Sequence, residues 1–338
     1  MMDVLVVDDS IFMRKIVTDI LATQADFRLT ATARNGKQAL ELVAQAKFDL
    51  ILLDVVMPVL GGLETLGELK KRTAAPVIML TGETNQKTVV EALALGGAVD
   101  FIEKPTSLMT VKEEWINNFC ARIRAVSTHH EQPHIQRKTP AAVVTASQLP
   151  NLQKKTKAVV IGASTGGPGA LLSLIAMLPD ELKMPLFIVQ HMPKEFTASF
   201  AARLNQETQV TVVEARDGEK IEAQVYLCPG NQHMTLAAGC IKLDQRPKLH
   251  GTRPAVDYLF NSAAAAYGPA LTAIILTGMG KDGTAGMKTI KQAGGYTIAQ
   301  DEASSVVFGM PRSAIENEVV DEVLSLEMIG RKLRRIVG

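Results

Sequence analysis

Two series of short apolar runs, separated by a polar stretch, organise this chain. From Met1 to about Arg124 the runs "VLVVDD", "LTATAR", "DLILLDV", "APVIMLTG" and "VDFIEKP" alternate with amphipathic stretches such as "FMRKIVTDILAT" and "GKQALELVAQA". Five β-rich runs alternating with helical periods predict a parallel sheet with right-handed crossovers. "MTVKEEWINNFCARIRAVS" predicts the helix that closes this unit. Residues 125–156 then break the pattern, with three prolines and no sustained period, and read as an extended interdomain linker. A second α/β series, 157–338, carries the strand candidates "KAVVIGAS", "PLFIVQHM", "VTVVEA", "QVYLCPG", "TAIILTGM" and "YTIAQ". Helical patterns such as "PGALLSLIAMLP" and "TASFAARLNQ" lie between them. Near-continuous apolar strands imply burial on both faces, so each half is expected to be a doubly wound α/β domain with a mostly parallel sheet, the second the larger.

Composition adds boundaries to this picture. A length of 338 residues suffices for two separate cores. A formal net charge of +1 removes the case for nucleic-acid binding through bulk positive charge. No apolar run approaches the ~20 residues of a membrane span, and no signal peptide opens the sequence, so neither insertion nor export is expected. The three cysteines, Cys120, Cys228 and Cys240, are too far apart for a metal motif or a disulfide framework, and a reducing cytoplasm is the expected compartment. Three of the six histidines, His129, His130 and His134, fall in the linker and read as solvated rather than as metal ligands.

Chemistry-bearing residues gather where strands stop. In the first half, Asp8 and Asp9 follow the first run, Asp54 ends the third, Thr81 the fourth and Lys104 the fifth. In a parallel sheet these carboxyl ends meet in one crevice. Clustered carboxylates repel one another unless a hard cation such as Mg²⁺ sits among them. Lys104 and Thr81 supply a cation and a hydroxyl suited to phosphoryl oxygens. One aspartate after a strand would be read as a helix N-cap, but this set points instead to Asp54 as a phosphoryl acceptor. "VLVVDDS", "DLILLDVVMPVLGGLETL", "PVIMLTG" and "DFIEKP" resemble a response-regulator receiver domain across Met1 to Arg124. The resemblance implies a flavodoxin-like five-stranded fold, phosphorylation of Asp54 by a histidine kinase, and Mg²⁺ held by Asp9 and Asp54 with help from Asp8. It also makes Thr81 and Lys104 the switch hydroxyl and lysine, and Phe101 the rotating aromatic. One position departs from the pattern: Gly61 stands where receivers carry an acidic or amide residue.

The second half opens on "AVVIGASTGGPGAL", a glycine-rich turn between a strand and a helix. Such turns cradle phosphates, or hold a serine nucleophile on a tight elbow, and Gly162-Ala163-Ser164-Thr165-Gly166 fits G-x-S-x-G. A dinucleotide site would need an acid at the end of the next strand, yet "PLFIVQHMP" ends in Gln190-His191. Adjacent strands lie about 4.8 Å apart, which puts Ser164 and His191 within hydrogen-bond reach. "TAIILTGMGKDGTAGM" adds Asp282 at a third strand end, a candidate to orient the ring. Backbone N–H groups of Thr165 and Met279 are candidate oxyanion donors. Other readings stay open at this stage. Ser164 could be a helix N-cap, Asp282 could cap the helix starting near Thr284, and His233 is a rival base. His250 reads as solvated, while Met192, Met279 and Met310 could line a pocket or simply fill core.

"GASTGGPGAL", "QHMPKEFTASFAARL", "LTGMGKDG" and "QDEASSVVFGMPRSAIE" resemble the catalytic domain of the chemotaxis protein-glutamate methylesterase (CheB) family, from about Lys157 to Arg335. The resemblance implies hydrolysis of γ-methyl glutamate esters on chemoreceptors, with deamidation of receptor glutamines as a second acyl transfer. No cofactor is expected in this half. It further implies control by the receiver, which when unphosphorylated would cover the cleft near Ser164 and would be loosened through Thr81 and Phe101. The competing readings are a phosphorylation-controlled hydrolase of another substrate class, a non-catalytic anion- or nucleotide-binding regulator, and a DNA-binding regulator. The last would need a helix-turn-helix output that the α/β pattern does not offer.

Overall fold

The computed structural model describes residues 1–82, 86–94, 97–105, 111–127 and 156–338. Two compact units divide the chain, one within Met1–Ile135 and the other within Gln136–Gly338. Most of the expected linker, with His129, His130 and His134, lies outside the described residues.

The first unit alternates β1 (Met2–Val7), α1 (Ile11–Ala22), β2 (Phe27–Ala33), α2 (Gly36–Gln45), β3 (Leu50–Asp54), α3 (Gly62–Leu69), β4 (Val77–Thr81), α4 (Gln86–Ala94), β5 (Asp100–Glu103) and α5 (Glu113–Ser127). Its parallel sheet runs β2-β1-β3-β4-β5. Strands β3 and β4 are buried at every position, while β2, at the edge, alternates. That difference is the one between a strand covered on both faces and one with a wet face. Local chemistry starts the helices: Ser10 Oγ accepts from Met13 N ahead of α1, and Asn35 Oδ1 from Gln38 N ahead of α2. Gly61 caps α3 without a side chain, so the departure noted above leaves that helix end to its backbone.

In the second unit follow β6 (Ala158–Ala163), α6 (Gly167–Ile175), β7 (Leu186–Gln190), α7 (Lys194–Gln206), β8 (Val212–Glu214), β9 (Val225–Leu227), β10 (His233–Ala237), β11 (Cys240–Asp244), α8 (Val256–Tyr267), β12 (Leu271–Ile275), α9 (Thr284–Gln292), β13 (Tyr296–Gln300), α10 (Met310–Glu316), β14 (Glu322–Leu324) and α11 (Leu326–Val337). Seven strands form one parallel sheet in the order β14-β13-β12-β6-β7-β9-β8. All six expected strands are in it. Two elements were not foreseen. The β10–β11 hairpin is antiparallel and turns through Ala238 (φ 51°) and Gly239 (φ 75°). Both residues sit in the left-handed region, the geometry of a type I′ turn, but alanine carries none of the usual Asn-Gly signal. The short edge strand β14 is only partly buried, which weakens its hydrophobic signature.

Both sheets have a topological switch point, where consecutive strands leave in opposite directions and a crevice opens. In the first it falls between β1 and β3; in the second, between β6 and β12. The cysteines are free, with Cys120 and Cys228 buried. No helix among the described residues is long and apolar enough to cross a membrane.

Candidate active site

At the first switch point, carboxylate oxygens of Asp8, Asp9 and Asp54 lie within 4.8 Å of one another. Asp8 and Asp54 are buried and Asp9 is exposed. Lys104 Nζ lies 2.8 Å from Asp8 Oδ2 and 2.7 Å from Asp54 Oδ1. The approach to Asp8 Oδ2 is an ion pair without the angle of a directed hydrogen bond. Burial pushes the Asp54 carboxyl up to about 6, the Asp8 charge adds to the push, and Lys104 opposes it. Arg14 adds a guanidinium that donates to the Asp8 and Asp9 carbonyls at 2.6 and 3.0 Å, so two cations face three carboxylates and the crevice stays short of positive charge. Thr81 is buried, with its carbonyl accepting from Lys104 N at 2.7 Å, and the Phe101 ring is buried in the same sheet.

The second crevice is built by glycines. Strand β6 ends at Ala163, and the chain turns back through Gly166 (φ 78°) while Gly167 N donates to Ser164 O at 2.7 Å. A Cβ on Gly162 would lie 2.5 Å from Val256 Cγ1, so the first glycine of the motif lets α8 pack beneath the turn. Ser164 N in turn donates to Thr277 O, 3.0 Å away, which ties the turn to the loop after β12.

Ser164, His191 and Asp282 come together as one hydrogen-bonded line. His191 Nδ1 lies 3.2 Å from Ser164 Oγ, and His191 Nε2 lies 2.8 Å from Asp282 Oδ2. The imidazole is only 9% exposed. Asp282 is not a cap of its own helix, whose N-cap is Gly283; its oxygens accept from Val256 N (2.7 Å) and Asp257 N (3.0 Å) of α8. Burial would raise this carboxyl, but the hydrogen bond and charge of His191 and the two backbone donors outweigh it and hold Asp282 below the ordinary carboxylate range. A carboxylate of that kind keeps the proton on Nε2 and leaves the Nδ1 lone pair facing the serine hydroxyl. The nitrogen facing serine is therefore Nδ1, a detail invisible to residue spacing.

The rival histidines are accounted for. His233 is buried, with Nδ1 accepting from Ala255 N at 3.2 Å and Nε2 donating to Pro247 O at 3.2 Å. Burial lowers its pKa, so it stays neutral and holds the 247–255 loop instead of serving as a base near Ser164. His250 is exposed as expected, yet its Nε2 reaches Asp257 Oδ2 at 3.3 Å.

Among the described residues, neither Thr165 N nor Met279 N has a hydrogen-bond acceptor, and Thr165 is buried. Met279 is 36% exposed at the rim, whereas Met192 and Met310 are buried in the packing below. Gln190 is among the residues that escaped the sequence reading. Buried at the end of β7, it donates through Nε2 to Ser164 O (2.9 Å) and His191 O (3.1 Å), bridging the two loops. Its only signal was a polar side chain closing an otherwise apolar strand.

Gly278 sets how closely those loops approach. A Cβ there would lie 2.4 Å from Met310 Sδ and 2.7 Å from Ser164 Cβ. Gly278→Ala is expected to displace Ser164 and cut turnover at this crevice about tenfold or more, since a 1 Å misplacement can cost ~100-fold. Steady-state kinetics beside a circular dichroism spectrum checks this, and unchanged turnover would contradict it.

Comparison with known proteins agrees with this geometry. The family model described as CheB methylesterase matches residues 159–333, and the response regulator receiver domain model matches residues 4–114. A protein-glutamate methylesterase/protein-glutamine glutaminase of Pyrococcus horikoshii is 41% identical over 334 residues, spanning 96% of this chain and 91% of the relative. One from Geobacillus kaustophilus is 40% identical over 99% of this chain and 98% of its own length. The crystal structure of the Thermotoga maritima CheB methylesterase catalytic domain is similar with a TM-score of 0.52 and 45% identity, covering 54% of this chain and 99% of that domain. With a receiver model over its first part, a CheB methylesterase model over its second and relatives aligned along nearly their whole length, the chain belongs to the CheB family of receiver-linked protein-glutamate methylesterases/protein-glutamine glutaminases.

Proposed function

We propose that this chain hydrolyses γ-methyl glutamate esters on chemoreceptors, and deamidates receptor glutamines by the same route, under control of phosphorylation at Asp54. The observation that carries the catalytic part is the line Asp282–His191–Ser164, with its separations of 2.8 and 3.2 Å.

His191 Nδ1 takes the Ser164 hydroxyl proton as Oγ attacks the ester carbonyl. The imidazolium so formed is stabilised by the Asp282 carboxylate. Negative charge gathers on the carbonyl oxygen and is met by the N–H groups of Thr165 and Met279. Collapse breaks the bond to the alkoxy oxygen, which leaves as methanol with the proton from Nδ1. Glutamyl-Ser164 remains as an ester. Water, deprotonated by the same nitrogen, releases the free carboxylate and restores the serine. With a glutamine, the first leaving group is ammonia. A fluorophosphonate should label Ser164, identified by peptide mass spectrometry, and fail to label Ser164→Ala; equal labelling of the variant would refute the assignment.

In the receiver, an Asp54 carboxylate oxygen attacks the phosphorus of a phosphorylated histidine kinase or a small acyl phosphate. The aspartyl phosphate forms as the P–N bond to the kinase imidazole, or the P–O bond to the departing carboxylate, breaks. Lys104 neutralises charge on the phosphoryl oxygens, and the Thr81 hydroxyl, at the end of the neighbouring strand, donates a hydrogen bond to one of them. Asp8, Asp9 and Asp54 fit Mg²⁺: three hard oxygen donors converge, and the excess negative charge among them calls for a cation. The ion, when bound, supplies charge neutralisation for the carboxylates and the incoming phosphoryl group.

The raised Asp54 carboxyl gives this site a pH signature. A group at about 6 when folded, against an ordinary value of 3.8, contributes stability that is present below about pH 4 and lost as pH rises through 6. In EDTA, the Mg²⁺-responsive thermal transition of the full chain is therefore expected to fall between about pH 4 and pH 6.5, with most of the drop below about pH 6. Added Mg²⁺ should restore it at the higher pH, and Asp54→Asn should remove most of this pH dependence. A wild-type transition with the same midpoint at both pH values would contradict the expectation.

A further inference from the structure

Asp257 takes no part in the mechanism above, yet its carboxyl is buried, with 2% exposed, in the first turn of α8. The N-cap of that helix is Ala255, which offers no side-chain acceptor for the orphan N–H groups of the first turn. Asp282 supplies those acceptors from the next loop, taking Val256 N on Oδ2 and Asp257 N on Oδ1. Helix α9 has the same need, because its N-cap is Gly283. Asp257 meets it: Oδ1 accepts from Gly286 N at 2.7 Å. Helix α8 thus lends a carboxylate to the start of α9, and the loop leading into α9 lends one to the start of α8.

The exchange requires close contact, and the sequence permits it. A Cβ on Gly286 would lie 2.4 Å from Phe260 Cβ and 3.2 Å from Asp257 Oδ1, so this face of α9 can carry no side chain. The arrangement is also costly. Burial raises the Asp257 carboxyl, Gly286 N–H lowers it, and the charge of Asp282 raises it further. The repulsion between the two carboxylates is a cost, offset by the backbone N–H groups of Val256, Asp257 and Gly286 and by His250. Gly283 (φ 91°), directly after Asp282, gives the loop rotational freedom that the helices must remove.

We propose that Asp257 is a positioning residue of the esterase, anchoring the first turn of α9 so that Asp282 Oδ2 points at His191 Nε2. Asp257 touches no reacting atom; it acts through Asp282, and the inference rests on the triad reading. His250, on the other oxygen of Asp257, closes the outer side of the clamp.

The test uses the full chain and a fluorophosphonate probe, separating the maximal labelling rate of Ser164 from the probe's half-saturating concentration. Asp257→Ala is expected to lower the maximal rate about ten- to a hundredfold, with half-saturation unchanged. Asp257→Asn, which keeps an oxygen for Gly286 N–H, should recover most of that loss. In an Asp282→Asn background, Asp257→Ala should add less than twofold, because the two act as one unit. If Asp257→Ala fails to fold, Gly286→Ala, which wedges the helices apart, should give the same loss and the same non-additivity. Full labelling by Asp257→Ala, multiplicative losses in the double variant, or no recovery in Asp257→Asn would each overturn the proposal while leaving the triad intact. Full labelling by Asp282→Asn alone would instead sink the triad reading, and this inference with it.

Discussion

Replacing Ser164 with alanine is expected to lower ester hydrolysis by at least about 10⁴-fold while leaving the chain folded. The size follows from the chemistry. The hydroxyl is the atom that bonds to the substrate, and removal of a triad serine elsewhere costs on the order of 10⁶ in turnover. What survives is the contribution of oxyanion donors and binding, roughly 10³–10⁴ over water. Stability should change little. The Ser164 side chain makes one hydrogen bond, to His191 Nδ1, and a bond of this kind contributes about 1 kcal/mol. Backbone contacts of the elbow, Ser164 N to Thr277 O and Gly167 N to Ser164 O, remain available to alanine. A variant with more than a hundredth of the wild-type rate would show that another group attacks the ester.

The second large effect belongs to the other unit. Asp54→Asn is expected to reduce phosphoryl uptake from acetyl phosphate to background and to remove any rise in esterase rate on adding it. The neighbouring carboxylates are poor substitutes for different reasons. Asp8 is buried, with one oxygen accepting from Ser10 N (2.9 Å) and the other against Lys104, while Asp9 is exposed at the edge of the crevice. The unstimulated esterase rate should be unaltered, because Ser164, His191 and Asp282 all lie in the second unit. Phosphorylated Asp54→Asn, detected by intact-protein mass, would show that the acceptor lies elsewhere.

These residues were legible in the sequence because the fold puts chemistry at a predictable place. Strands β3, β4, β6, β7 and β12 are buried at every position, so they stand out as apolar runs, and the first polar residues after them lie at the carboxyl edge. Ser164, just after β6, was singled out that way, as were Asp54 closing β3, Asp8 following β1, and His191 following Gln190 at the end of β7. What spacing does not carry is the partner of a polar atom. His191 and His233 both sit at strand boundaries in sequence, and only the tertiary structure gives one to Ser164 and locks the other between Ala255 and Pro247. Asp282 looked equally like a helix cap, and it is one, but for α8 instead of its own helix. Gln190 and Asp257 were missed for the same reason: each acts by joining segments far apart in the chain. The β10–β11 hairpin was missed because Ala238 gives no sign of its left-handed turn.

The measurement that tests the account most directly is methanol release from chemoreceptor membranes carrying labelled methyl esters, with and without acetyl phosphate. The wild-type chain is expected to release methanol, and faster once Asp54 is phosphorylated, while Ser164→Ala releases none above background. Methanol release by Ser164→Ala at the wild-type rate would contradict the account, as would a wild-type chain that releases none from intact substrate.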